Sequence, residues 1–540
     1  MPASRQSLRI ALKRYTSLLL FSSILFNGVA ARGHASPEGI DLATINRIKD
    51  EELRHSQIME TLGYLADVFG PRLTGSPNIK TAQEWTRNKL TQWGLRDAHL
   101  EAWGPFGRGW TLEGFTANMI APAFSPLIAY PKAWSPSTPG TVRGNVIYLD
   151  VKSETDLEKY RGKLKGAIVL FLPARPVRTH FEPQAHRATD EELLQLANAG
   201  PPPAERRFEL TTEQRAQQDL SFKKWRLVYD EQAAVVLSPA PHGDNGTIYV
   251  TSATMPAPFD MPSDQRPQPW KKDAVVIPQA VVALEHYNRL IRLLEKGIPV
   301  ELELNIKSRF HDQDLMSYNV IAEIPGTDLK DEIVMLGGCI DSWHAGTGAT
   351  DNAAGVATAL EVVRILQTLG IKPRRTIRLG LWSAEEQGTL GSHAYVAKHF
   401  GHFGKEGAQQ RRPEYEKFSA YFNLDDGTGK IRGLFLQGNE AVRPIFRAWL
   451  APFADLGAST LSNLNSVDTD HIAFDEIGLP GFMFIRDEIE YDTRTAHTNM
   501  DLYDHIQEDD LKQVAIITAS FIYHAAMRDE KLPRKPLSGK

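Results

Sequence analysis

The sequence predicts an α/β protein, with a mostly parallel central sheet covered by helices on both faces and a smaller β-rich module beside it. Three observations predict this. After residue 305, apolar strands alternate with helical stretches: DEIVMLGG before GVATALEVVRILQTLG, TIRLGLWS before TLGSHAYVAKHF, then SAYFNLD. Such alternation builds a parallel sheet buried on both faces. Between residues 131 and 304, short β-branched runs dominate instead: GNVIYLDV, GAIVLFL and AAVVLSP. Before residue 131 the chain reads largely as helix, then crosses a proline-rich stretch, APAFSPLIAYPKAWSPSTPG.

In chain order, residues 1–35 read as a signal peptide. Arg5, Arg9, Lys13 and Arg14 precede the apolar run Thr16–Phe26, and small residues up to Ala35 follow. That run is too short to span a bilayer comfortably. Helical spacing runs from Ile40 to about Gln92, with a break at Gly70-Pro71. Residues 131–304 then read as an inserted module, with a charged, partly helical stretch over 184–228. Its TIYVTS, just after Asp244-Asn245-Gly246, reads as one arm of a hairpin. The spans 40–130 and 305–530 are expected to form one domain around it. The last helix, DDLKQVAIITASFIYHAAMR, starts at the acidic pair Asp509 and Asp510.

Composition excludes several classes. A net charge of −5 over 540 residues offers no nucleic-acid surface. One cysteine, Cys339, makes an intramolecular disulfide impossible. There is no H-E-x-x-H, no phosphate-binding P-loop and no G-x-S-x-G elbow.

Sites in open α/β sheets form beyond the carboxyl ends of the strands. Cys339, Asp341, His344 and Asp351 follow the first such strand, Glu385 and Glu386 the second, Asp425 and Asp426 the third, and His497 lies near the last helix. Each has a plainer reading alone. Asp351 could cap a helix, the Glu pair could complement a helix dipole, and His497 could be an ordinary core or surface histidine. Together they are different: several carboxylates on one rim repel unless a cation neutralises them. Mixed nitrogen and oxygen donors suit zinc.

The set GGCIDSWHAGTGATDNAAG, WSAEEQGTLGS, YFNLDDGTG and RTAHTNMDLYDHI resembles the co-catalytic zinc exopeptidases. That family includes bacterial aminopeptidases, plasma glutamate carboxypeptidase and the non-catalytic transferrin receptor. The order GKLKGAIVLF, AAVVLSPA, VVIPQAVVALEHYNRLIRLLEKGIPVELEL resembles the protease-associated domain inserted in its larger members. The resemblance implies an exported enzyme with the zinc exopeptidase fold and two zinc ions. It would hydrolyse terminal peptide bonds, most simply from the amino end. Asp351 looks like the bridging ligand, Glu386 and His497 like the other ligands of one zinc, and Asp425 like a ligand of the second. Glu385 looks like the general base, and Asp341 like the carboxylate that orients the first ligand. The implied partner is a peptide substrate, with no nucleic acid and no membrane after signal cleavage; a homodimer stays open.

One position departs from the pattern. The family usually has His where this chain has Cys339. Three readings follow: a thiolate that binds zinc, a second site left weak or empty, or a binding protein without catalysis. Retention of Glu385 argues against the last. A carboxypeptidase or dipeptidase on the same site is the alternative to aminopeptidase action, and a glutaminyl cyclase on the same fold is a further one.

Overall fold

The computed structural model describes residues 38–202, 210–403 and 409–536. The expected signal peptide, 1–35, lies outside the described residues. None of the described helices is long and apolar enough to cross a membrane.

The first sheet has eight strands in the order Arg96–Trp103, Ser317–Ile324, Arg375–Trp382, Leu329–Cys339, Phe418–Asn423, Gly481–Arg486, Ile431–Phe435 and Thr460–Ser462. The four central strands run parallel. Antiparallel pairs flank them on both sides, so the sheet is mixed with a parallel centre. In strand Leu329–Cys339 the buried part, from Ile333 on, shows why the run is apolar. Val334 and Leu336 face one core, with Val356, Leu360 and Phe521 from helices Ala354–Thr368 and Glu508–Met527. Ile333 and Met335 face the other, with Trp382, Tyr395 and Phe474. A period of two with both faces covered leaves no polar position.

The second sheet also has eight strands, drawn from Gly109 to His311. Two of them pair along most of their length: Gly109–Ala121 lies before the 131–304 span and Glu301–His311 runs past its end. Helix Leu284–Glu295 covers one face through Tyr287, Leu290 and Ile291. Helix Thr212–Asp230 covers the other through Trp225 and Val228.

The expected hairpin at TIYVTS does not form. Strand Val235–Pro239 is already paired on both sides, with Ile168–Leu170 and Gln279–Val282, so it has no free edge. Residues 248–252 run instead between the sheets: Tyr249 bridges Thr498 in a loop of the first, and Ser252 bridges Ala133, just past strand Ala129–Pro131 of the second. A seam of large aromatics, Phe106, Trp110, Trp134, Trp270 and Trp343, joins the sheets behind those loops.

The early helices hold the loop after Cys339. Ser76 caps helix Pro77–Gln92 and Pro77 fills its first turn. Just before that cap sits Arg72, fully buried. Its Nε donates to Ile340 O (2.8 Å), its Nη1 to Leu65 O (2.8 Å) and Thr347 O (3.0 Å), and its Nη2 to Gly348 O (2.9 Å). Gly348 has a φ of +71°, and a Cβ there would lie 2.4 Å from the Ser342 Cβ, so the loop needs glycine at that point. Hydrogen bonds from a charged donor contribute about 1.5–3 kcal/mol each, and stranded buried carbonyls add a penalty. Arg72→Met should therefore cost at least ~3 kcal/mol, seen as a lower urea midpoint; an unchanged midpoint would show that the loop holds itself.

Candidate metal centre

The site stands where three neighbouring parallel strands end. Cys339 lies in register with Trp382, three residues before Glu385, and Gly337 with Asn423, two residues before Asp425. Gly338 lets the chains approach, because a Cβ there would sit 2.4 Å from Leu424 O. The loop from Gly348 returns Asp351 to the same edge, and the loop before the last helix brings His497. Asp501 ties these two loops together: its Oδ1 accepts from Thr350 N (2.5 Å) and Thr350 Oγ1 (2.8 Å).

Five of the residues expected from sequence converge in two groups. Ligand atoms of Cys339, Asp351 and Asp425 lie within 4.8 Å of one another, and so do those of Asp351, Glu386 and His497. Asp351 belongs to both. His497 Nε2 lies 3.0 Å from Glu386 Oε2 and 3.1 Å from Asp351 Oδ2. Cys339 Sγ is buried, 3.7 Å from Asp425 Oδ2, and accepts from Asn352 Nδ2 at 3.4 Å. His344 is not among them. It turns toward the second sheet, with Nε2 2.8 Å from Pro131 O and its ring edge-on to Trp110 and Tyr130.

Asp341 serves a different neighbour from the one expected. Its Oδ2 accepts from Thr74 Oγ1 (2.8 Å) and its Oδ1 from Glu385 N (3.2 Å). Thr74 Oγ1 in turn accepts from Ala384 N (3.2 Å). No hydrogen bond from Cys339 to Asp341 occurs among the described residues. An imidazole ligand has a second N–H to be oriented; a thiolate has none. The carboxylate therefore holds the loop of the Glu pair rather than the first ligand.

Sequence reasoning missed the support behind Asp425. Trp382 Nε1 donates to Tyr421 OH (2.7 Å), Tyr421 OH to Asn423 Oδ1 (2.6 Å), Asn423 Nδ2 to Thr469 Oγ1 (2.8 Å), and Thr469 Oγ1 to Asp425 Oδ2 (2.6 Å). Every member is buried. It also missed Asp470, a buried carboxyl that burial holds well above its ordinary range. Asp470 falls in a loop with no strand pattern to flag it.

The electrostatics call for a cation. Burial, then the Asp425 and Asp470 charges, push the Glu385 carboxyl well up. Burial and then Asp351 push Glu386 up to about 8. Burial also holds the Cys339 thiol well above its usual value, with Asp425 adding to it. His497 goes the other way: burial would lower it, but Glu386 and Asp351 outweigh that and keep it strongly basic. Among the described residues, the buried Glu386 Oε1 accepts no hydrogen bond, and Asp351 Oδ2 is offered only the Nε2 it would share with Glu386. Such orphaned oxygens beside sulfur and imidazole fit zinc.

Residues 319–522 match the model of Peptidase family M28. The chain carries a domain of that family. Mouse carboxypeptidase Q is 26% identical over 479 residues, covering 88% of this chain and 87% of the relative. The structure of a peptidase M28 precursor from Shewanella amazonensis matches with a TM-score of 0.64 at 23% identity, over 92% of this chain and 98% of that one. That of a zinc aminopeptidase from Bacillus subtilis matches at 0.54 and 18%, over 88% and 95%. Both likenesses to solved structures are of fold. The M28 relatives are hydrolases, and both ligand groups lie inside the matched span.

The metal-free M28 site should respond to pH. Burial first of all pushes Asp341 and Asp425 up to about 6 and Asp501 to about 7. These groups hold protons when folded that the unfolded chain releases near pH ~4. Their stabilisation is complete below that pH and is lost as pH rises through about 6 to 7. The Tm of chelator-stripped protein should therefore fall between about pH 5 and about pH 8. A flat or rising Tm would mean that the carboxyls are already ionised at low pH.

Proposed function

We propose that the protein is an exported, zinc-dependent exopeptidase that acts as an aminopeptidase. One observation carries the reading: a single buried carboxylate, Asp351, is shared by two sets of ligand atoms, and Glu385 is desolvated beside them. Export rests on the leader-like residues 1–35, and residues 131–304, which supply the middle strands of the second sheet, are taken as an inserted protease-associated module. Cys339, Asp351 and Asp425 would hold one zinc, and Asp351, Glu386 and His497 the other.

Zinc bound there would supply Lewis acidity toward the scissile carbonyl and make a water easier to deprotonate. Glu385 is the general base. Beside both ligand sets, and ionised once zinc neutralises the neighbouring carboxylates, it would take a proton from the attacking water and deliver it to the leaving amine. Asp341 and Thr74 fix its backbone. The thiolate of Cys339 would bind in place of the usual imidazole and add negative charge. Asp425, Asp351, Asp492 and Asp468 surround Asp426, and that cluster of acidic groups suits the ammonium end of a peptide.

A second reading, cleavage from the carboxyl end, is favoured by the similarity to mouse carboxypeptidase Q over most of both chains. Peptides blocked at one end or the other separate the two. Loss of hydrolysis on N-acetylation, with two zinc ions per chain, supports the aminopeptidase; loss only on C-terminal amidation selects the second reading. A chain that retains no zinc and cleaves neither would overturn both. Glu385→Gln should keep its zinc and lose at least ~10²-fold in kcat, the scale of a positioned general base. Near-normal turnover would remove Glu385 from the mechanism.

A further inference from the structure

His497 does not stand on its own loop alone. Its φ is +60°, in the left-handed region that a non-glycine residue occupies only when its surroundings hold it there. The holding groups come from the inserted segment at 246–250. Val250 N donates to His497 O (2.9 Å), Ile248 N to Asn499 Oδ1 (2.7 Å) and Asn499 N to Ile248 O (3.3 Å). Asn499 Nδ2 donates to Gly246 O (3.3 Å). Between these, Tyr249 reaches in so that its hydroxyl lies 2.9 Å from His497 Nδ1. Its ring lies 5.2 Å from the imidazole, and Trp343 packs edge-on at 6.0 Å from the other side.

We propose that Tyr249 is a positioning residue, which fixes the His497 imidazole with Nδ1–H donated to its hydroxyl and Nε2 turned to Asp351 and Glu386. The chemistry is directional. An imidazole binds a metal through an unprotonated nitrogen, so the other nitrogen must carry the proton and needs an acceptor. No carboxylate or backbone carbonyl accepts from Nδ1 among the described residues; the Tyr249 hydroxyl does. A phenol oxygen is neutral, so it orients the ring without adding a further negative charge to an already acidic site. The inserted module thus completes one ligand set instead of only bordering it. The proposal rests on the zinc reading for the identity of the metal, but not for the orientation of the ring.

Tyr249→Phe keeps the ring packing and removes only the oxygen. Zinc affinity of this variant is read by competition with a chromophoric chelator, and the Nδ1 and Nε2 resonances of His497 by 15N NMR, assigned by their loss in His497→Gln. The expected result is that one of the two zinc ions binds ~10–100-fold more weakly, the other is unchanged, Tm in the metal-free state is unchanged, and the Nδ1 resonance shifts. Unchanged affinity for both ions with an unshifted Nδ1 resonance would overturn the proposal. Equal weakening of both ions would also overturn it, since that is what a merely structural role produces. If the wild-type protein binds no zinc, the exopeptidase reading fails, while the 15N comparison on the metal-free protein still decides the role of Tyr249.

Discussion

Mutual repulsion among buried carboxylates is the constraint on which this structure turns. Asp351, Glu385, Glu386, Asp425 and Asp470 all reach the edge where the parallel strands end. Two unit charges 4 Å apart repel by about 4 kcal/mol at the effective dielectric of a protein site. A fold of ordinary stability, ~5–15 kcal/mol, does not sustain several such pairs bare. Either protons or a cation must sit among them. The raised proton affinities of Glu385, Glu386 and Asp425 are the metal-free answer. The orphaned oxygens of Asp351 and Glu386 point to the other. The surrounding scaffold can then be understood as what keeps the carboxylates in place: Arg72 on one loop, Thr469 on Asp425, Asp501 across two loops.

Cys339 changes the balance of that site. With the thiol ionised, one ligand set brings three negative charges and the other brings two with a neutral imidazole. A metal in the first set would be more fully neutralised and a weaker Lewis acid. The structure blunts the excess with donors: Asn352 Nδ2 to the sulfur and Thr469 Oγ1 to Asp425. It also redeploys Asp341. With no second N–H to receive, that carboxylate braces the backbone of Glu385, so the substitution at the first ligand is matched by a changed role for its neighbour.

Much of the site was legible because its residues follow strands. The apolar runs ending at Cys339, Trp382 and Asn423 announce strand ends, and chemistry-bearing residues just past them must share an edge. Asp351, Glu386, Asp425 and His497 could be gathered this way without knowing any pairing. What periodicity does not carry is which loop meets which. Tyr249 sits in a run whose β-branched character read as a hairpin arm; its actual neighbour is 248 residues away. Arg72 lies at a helix break, and nothing in its local sequence says that four carbonyls will close around it. The sheet's antiparallel flanks were missed for a related reason: a strand's composition reports that both faces are buried, not the direction of its partner.

On the proposed reading, two zinc ions share Asp351 and one of them is bound by sulfur. Zinc-edge X-ray absorption on the zinc-loaded protein tests this most directly. The expected spectrum has a sulfur scatterer at about 2.3 Å averaging one-half per zinc, nitrogen and oxygen scatterers near ~2.0–2.2 Å, and a zinc–zinc vector of roughly 3.5–4 Å. A spectrum with only nitrogen and oxygen neighbours and no metal–metal vector would contradict it.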